Sequence, residues 1–303
     1  MSAGALVVGE ALIDEVVESD RSVTRYPGGS PANVAVGLSR LNLVTRLHTA
    51  IGEDEDGDLI RKHLSESGVL LTAVSTTDAP TSKAVATLAD DGSATYEFAL
   101  TWNPHNLDEL GAPKVIHVGS LGAFLEPGSD ITRDIVRRGR AAGALITFDP
   151  NVRPSLIPGS DKSRKLFTAL AFSSHLAKLS DEDAEFLFPG RSLGYVLDLL
   201  IEGGPAVVVI TRGSRGAYLA SGENRVHIRP IKTTVKDTVG AGDSFMAALI
   251  WALIFDDGGW DGKPVSGPRL QEIGEKAARA AAITVSRRGA DLPILSELIT
   301  GNA

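Results

Sequence analysis

The segment Asp237-Thr238-Val239-Gly240-Ala241-Gly242-Asp243-Ser244 gathers residue types that suit a transferring anion. Its small-residue turn opens directly into the apolar run Phe245 to Phe255, which is much shorter than the ~20 residues of a membrane span and reads as a buried core helix. The first turn of such a helix offers unpaired N–H groups and the positive end of the helix dipole, and the glycines let phosphoryl oxygens approach the backbone. Asp243 falls in that turn, where a carboxylate can accept a hydroxyl proton as the oxygen attacks a terminal phosphate. Taken alone, Gly-Ala-Gly-Asp is equally a tight turn with an acidic helix start, so the rest of the chain must decide.

A second glycine-led helix start lies near the other end of the chain, at Pro27-Gly28-Gly29-Ser30-Pro31-Ala32-Asn33. Ser30 is the expected cap and Pro31 the first helical residue, with Val34, Leu38 and Leu41 on one buried face. Asn33 in the first turn has the donors and acceptor to bind sugar hydroxyls. Asp14, read as lying at the end of the first strand, falls where open α/β sheets bind ligands. Both residue types serve as well in capping, packing or loops.

These residues need a scaffold, and the apolar pattern supplies one. Ala5–Val8, Val44–Ile51, Val115–Val118, Ala144–Phe148, Leu176–Leu179 and Ala206–Ile210 are short, β-branched-rich runs separated by amphipathic or Ala-rich segments. That alternation predicts a mostly parallel sheet, and consecutive apolar positions such as Ala206 to Ile210 predict helices on both faces: a three-layer α/β/α sandwich. Between Ala84 and Leu100, two strand-like runs flank the turn Asp90-Asp91-Gly92-Ser93, predicting a small β-lid. Asp14 to Val23 adds strands to it, giving a single domain over 1–303 with a lid from about 14–25 and 81–102. The acidic run Glu53 to Asp56 reads as solvated acids at a helix start, without function. Tyr96, Phe98 and Trp102 either line the lid's inner face or simply alternate along a half-buried strand.

Composition narrows the function. With 30 Lys+Arg against 38 Asp+Glu the net charge is −8, which opposes a field attracting nucleic acid or anionic lipid. No cysteine is present, which removes disulfides, thiolate nucleophiles and Cys-ligated zinc and fits a cytoplasmic setting. The first apolar run has no preceding Lys or Arg, so no cleaved signal peptide is expected. No Gly-x-x-x-x-Gly-Lys-[Ser/Thr] occurs, and the first strand lacks Gly-x-Gly-x-x-Gly, so a phosphate grip must lie elsewhere.

Gly28-Gly29-Ser30-Pro31-Ala32-Asn33 and Asp237-Thr238-Val239-Gly240-Ala241-Gly242-Asp243 together resemble the two signatures of ribokinase-like (PfkB) carbohydrate kinases. The resemblance covers nearly the whole chain, because Thr211-Arg212-Gly213-Ser214-Arg215-Gly216-Ala217 is similar to the family's nucleotide-side turn and Arg287-Arg288-Gly289-Ala290 to its adenine loop. It implies ATP-dependent phosphorylation of a sugar, with Asp243 as general base and the Gly240, Ala241 and Gly242 amides as anion hole. Asp14, Gly28, Gly29, Ser30 and Asn33 would contact the sugar, and Lys178, Thr211, Gly213 and Gly216 the nucleotide. The family uses Mg²⁺ with ATP, largely through the phosphates. Many members also hold a monovalent cation, for which Asp237 and the Val239 carbonyl match, so K⁺ is a further candidate.

Two departures from the family pattern bear on substrate and metal. Its Asn-x-x-Glu element appears as Ser180-Asp181-Glu182-Asp183, which shortens both the amide and the acid. The Lys that follows the paired glycines in ribokinases is Ser30, closer to fructokinase-like members. Asp149-Pro150-Asn151-Val152-Arg153 resembles the strand-end element of fructokinases and ketodeoxygluconate kinases, with Arg153 approaching phosphate or an acid sugar. Fructose is therefore the first substrate expectation. A 2-keto-3-deoxy acid, ribose or a nucleoside are alternatives, and so is a non-catalytic sugar or nucleotide sensor. A homodimer through the lid would protect exposed strand edges.

Overall fold

The computed structural model describes residues 4–88, 94–256 and 259–300. The chain opens with β1 (Ala5–Val8), leaves its sheet for β2 (Leu12–Val17) and β3 (Val23–Gly28), and returns through α1 (Ser30–Arg40) to β4 (Thr45–His48) and β5 (Ile51–Gly52). Next come α2 (Glu55–Glu66), β6 (Leu70–Leu71), β7 (Thr76–Thr77), β8 (Lys83–Leu88) and β9 (Ala94–Ala99). Strand and helix then alternate through β10 (Val115–Gly119), α3 (Gly128–Ala141), β11 (Leu145–Asp149), α4 (Ser160–Phe172), β12 (Leu176–Ser180), α5 (Asp181–Leu187), α6 (Leu193–Gly203) and β13 (Val207–Thr211). The hairpin strands β14 (Ala217–Ser221) and β15 (Asn224–Ile228) precede α7 (Ala241–Ile250), α8 (Gly267–Val285) and α9 (Leu295–Ile299).

The large sheet has nine strands in the order β15-β14-β13-β12-β11-β10-β1-β4-β6, parallel from β13 to β6, with an antiparallel hairpin at the other end. Each strand feeds both faces, as a period of two requires. Val7, Val207 and Val209 pack with α1, α7 and α8, whereas Leu6, Val8, Val208 and Ile210 pack with α3, α4 and α6. In β1, β10, β11, β12 and β13 nearly every residue is buried on either face, which explains the unbroken apolar runs in the sequence. Phe148 and Phe167, each 0% exposed with rings 5.6 Å apart, anchor one face, and truncating either to Ala would cost about 3–5 kcal/mol.

The apolar run after Asp243 is the buried core helix that was expected. Past Ile250 it widens into a π-helical turn over Trp251–Phe255, where Lys114 Nζ donates to the Ile254 carbonyl at 2.8 Å and Arg269 to that of Ala252 at 2.7 Å. Those donors satisfy carbonyls that the widened turn leaves without helical partners.

A second sheet of four strands, β3-β2-β8-β9, stands apart from the first. It corrects the placement of Asp14, which lies inside β2 and not at the end of the first strand, because the chain changes sheets between Gly9 and Ala11. The expected turn Asp90 to Ser93 lies outside the described residues. The acidic run before α2 is also more structural than expected: Asp54 caps α2 through the Gly57 N–H at 2.8 Å, and Asp56, 5% exposed, pairs with Lys83 of β8. Among the described residues, no helix is long and apolar enough to cross a membrane.

Candidate active site

A cavity of about 610 Å³ opens between the C-terminal edge of the large sheet and the four-stranded sheet. The start of α7 forms one wall. Gly240 precedes the helix at φ +75°, and a Cβ there would lie 2.7 Å from the Cβ of Ala290, so neither the conformation nor the space admits a side chain. The Ala241 N–H closes a turn on the Thr238 carbonyl at 3.3 Å, while those of Gly242 and Asp243 take no backbone partner among the described residues. Asp237 ties this loop down, since its Oδ1 accepts from the Val239 N–H and its Oδ2 from that of Gly289. These two bonds hold its carboxyl below the usual Asp value.

Asp243 is 7% exposed and lines the cavity. Its Oδ1 accepts from Ser30 Oγ at 2.6 Å and its Oδ2 from Asn33 Nδ2 at 2.8 Å, so the two glycine-led helix starts meet on one carboxylate. The α1 cap differs by one residue from expectation: Gly29 holds the cap position at φ +101°, and the Ser30 hydroxyl is spent on Asp243. A Cβ at Gly28 would lie 2.2 Å from Asp14 Oδ2, so the bare backbone there makes room for that carboxylate. Asp14 is raised above the ordinary Asp value by loss of surrounding water, with Arg153 opposing the shift.

The strand ends supply a buried ion pair. Lys178 Nζ donates to Asp149 Oδ2 at 2.6 Å, with both side chains 5% exposed or less. Asp149 Oδ1 is buried without a hydrogen-bond partner among the described residues, and burial pushes the carboxyl up to about 6 against the pull of Lys178. Lys178 Nζ also lies 3.7 Å from where a Gly242 Cβ would stand, next to the free amides of α7. The shortened acid Asp183 is part of a capping box with Ser180, and its Oδ1 reaches across to accept from the Val152 N–H at 2.8 Å. Arg153 lines the cavity, but its Nη1 donates to its own loop, to Asn151 Oδ1 at 2.8 Å.

Of the residues singled out in the sequence, Asp14, Gly29, Ser30, Asn33, Arg153, Lys178, Val239, Gly240, Gly242 and Asp243 line this cavity. Gly28, Ala241 and Asp237 support its walls from behind. Thr211, Gly213 and Gly216 lie outside it, at and just beyond the end of β13, where Thr211 stands in register with Ser180. Tyr96 and Phe98 face the cavity from β9, whereas Trp102, 2% exposed, belongs to the core. Sequence reasoning missed Glu10, a 5% exposed acid in the cavity wall, and named Asp149 only as part of the strand-end element, without a role. The visible signal for Glu10 was a lone charge inside the otherwise apolar stretch from Ala5 to Ile13.

A three-layer sandwich with a small second sheet over a polar cavity defines a ribokinase-like protein. The chain belongs to the pfkB family of carbohydrate kinases, whose model matches residues 3–297, and it is thus an ATP-dependent sugar phosphotransferase. It is 29% identical over 298 residues to the fructokinase of Salmonella typhimurium, covering 96% of this chain and 95% of that one. The crystal structure of fructokinase with bound ATP from Xylella fastidiosa superposes with a TM-score of 0.84 at 24% identity, covering 98% of this chain and 97% of that one. A fructokinase double mutant from Vibrio cholerae, crystallised with fructose, ADP and potassium ion, gives 0.81 at 21% identity, covering 98% and 96%.

Proposed function

We propose that the protein phosphorylates a hydroxyl of fructose, with Asp243 as general base. The observation that carries this reading is the pair of bonds fixing both Asp243 oxygens, from Ser30 and Asn33, in the cavity wall beside amides without backbone partners. A carboxylate oriented in this way accepts a hydroxyl proton without first having to reorganise. The identity of the sugar rests on the fructokinase relatives and on Ser30 in place of the ribokinase Lys.

ATP bound with Mg²⁺ supplies the phosphoryl group and the charge that spreads over its oxygens in transfer. The residues suit it: the Lys178 ammonium lies 3.7 Å from where a Gly242 Cβ would stand, beside the Gly242 and Asp243 amides that have no backbone partner among the described residues. With its N–H spent on Thr238, Ala241 contributes less to this anion hole than Gly242 does. Among the described residues no cluster of three or more His, Cys, Asp or Glu side chains could hold a metal, so Mg²⁺ would be carried chiefly by the phosphates. For K⁺ the loop over Asp237 and the Val239 carbonyl remains the candidate, since each Asp237 oxygen accepts a single N–H bond and keeps a further acceptor site. Thr211, Gly213 and Gly216 belong to the adenosine side of the same reading, and a dimer through the four-stranded sheet completes it.

The decisive experiment is ADP release over a panel of neutral sugars, sugar acids and nucleosides, with Mg²⁺ and with or without K⁺. Asp243→Asn is expected to lower fructose-dependent turnover by about 10²–10⁴-fold while fructose binding persists. Near wild-type turnover in a folded Asp243→Asn protein would remove the base assignment.

A further inference from the structure

The cavity wall holds an acid that the proposed reaction leaves unused. Glu10 follows β1 at the C-terminal edge of the sheet, and its carbonyl oxygen would lie 2.6 Å from a Cβ on Gly29, so it abuts the helix start that carries Ser30 and Asn33. Its Oε2 accepts from the Gly122 N–H at 3.0 Å, which fixes the plane of the carboxyl. Its Oε1 forms no hydrogen bond meeting normal geometry among the described residues, yet it is not among the sealed polar atoms, so it opens on the cavity that Glu10 lines. Capping the turn at Ser120 to Ala123 accounts for Oε2, and the Ser120 hydroxyl also lies near the carboxyl, while Oε1 keeps an acceptor site toward the cavity.

We infer that Glu10 is a further substrate-positioning residue, whose Oε1 accepts a hydrogen bond from an acceptor hydroxyl other than the one phosphorylated. This rests on reading the cavity as the sugar site. Four carboxyls and two cations face the space: Glu10 itself, Asp14 from β2, Asp149 and Lys178 from the strand ends, Arg153 from its loop and Asp243 from α7. The two cations are partly committed already, Lys178 to Asp149 and Arg153 to Asn151. Glu10 has no ion-pair partner among the described residues, and beyond the nearby Ser120 hydroxyl its carboxylate keeps acceptor capacity for a further hydroxyl donor. Burial pushes Glu10 up to about 7, against the Ser120 side chain and the backbone of Leu121 and Gly122, so both protonation states occur near neutrality. The ionised form accepts the stronger, charge-assisted bond, so sugar affinity rises as pH rises through about 7.

The experiment measures KM for fructose and for ATP between about pH 5.5 and 8.5 in the wild type and in Glu10→Gln. Gln still accepts from the Gly122 N–H, so a cap-only role predicts unchanged values. The expected result is a fructose KM about fivefold lower at pH 8 than at pH 6 in the wild type. In Glu10→Gln that step is gone, the KM stays near the wild-type acid value, and the ATP KM is untouched. A wild-type step retained in Glu10→Gln, or no step near 7 in the wild type, overturns the inference. Absence of fructose turnover with ADP release on another sugar would instead sink the substrate reading, and that sugar then becomes the probe.

Discussion

Ser30 and Asn33 stand one helical turn apart on α1, and each donates to a different oxygen of Asp243. Removing either donor frees one oxygen and, in the proposed reaction, lets the carboxylate rotate away from the hydroxyl it would deprotonate. Ser30→Ala and Asn33→Ala are each expected to lower kcat about five- to tenfold with the ATP KM unchanged, and to lose that effect when combined with Asp243→Asn. Additive losses in that combination would show that the two residues act elsewhere. Asp243 was legible because a small-residue turn followed by an apolar run fixes a helix start, and a helix start fixes where its third residue points. The partnership of Asp149 with Lys178 was not, since it joins neighbouring strands whose residues lie 29 positions apart. Glu10 was missed because its burial depends on the distant turn at Ser120 to Gly122, which the local pattern does not record. Ser30 was misread as the α1 cap, because a hydroxyl at a helix start commonly caps locally, whereas here it donates to Asp243 across the fold.

The helices and strands were readable wherever an element is covered on both faces, as in Ala206 to Ile210 or the run after Asp243. Legibility failed where the chain changes sheets: from Ala5 to Ile13 the apolar texture continues while the backbone leaves one sheet and enters another. Pairing between distant strands decides that boundary, and local pattern does not record it. Asp183 illustrates an element with a double duty, capping α5 and holding the Val152 N–H of the loop that carries Arg153. Asp183→Ala is expected to lower stability by about 1–2 kcal/mol and also to raise the fructose KM, because the loop loses its tether. Unfolding midpoints and KM measured on the same preparation test this, and a stability loss with unchanged KM would confine Asp183 to capping. Gly240→Ala belongs to the same scale: with φ at +75° and Ala290 in the way, the start of α7 must shift, and turnover should fall even where the protein stays folded.

For the molecule as a whole, buried groups of opposite kinds shape the response to acid. Burial holds His48 and His117 down to about 4 and about 3 from 6.5, so their contribution to stability is complete above 6.5 and is lost as pH falls through those values. Glu10 and Asp149 are raised to about 7 and about 6 from 4.5 and 3.8, so their contribution is present in acid and lost as pH rises through 6 and 7. Between about pH 4.5 and 6 the two effects offset, and the unfolding temperature should be nearly level. Below about 4 only the His117 loss continues, joined by carboxylates such as Asp54 and Asp237 that hydrogen bonds hold low, and stability should drop. Thermal unfolding from pH 3.5 to 7 tests this, and a steady decline beginning at 6.5 would contradict it. The four-stranded sheet adds a mechanical consequence. Its strand β3 ends at Gly28 and α1 begins at Ser30, leaving one residue of slack between the flap and the helix that steers the acid. A tilt of the flap over a seated guest must therefore twist those steering groups as well, so the machine should idle quietly, spending little nucleotide while its bowl is empty.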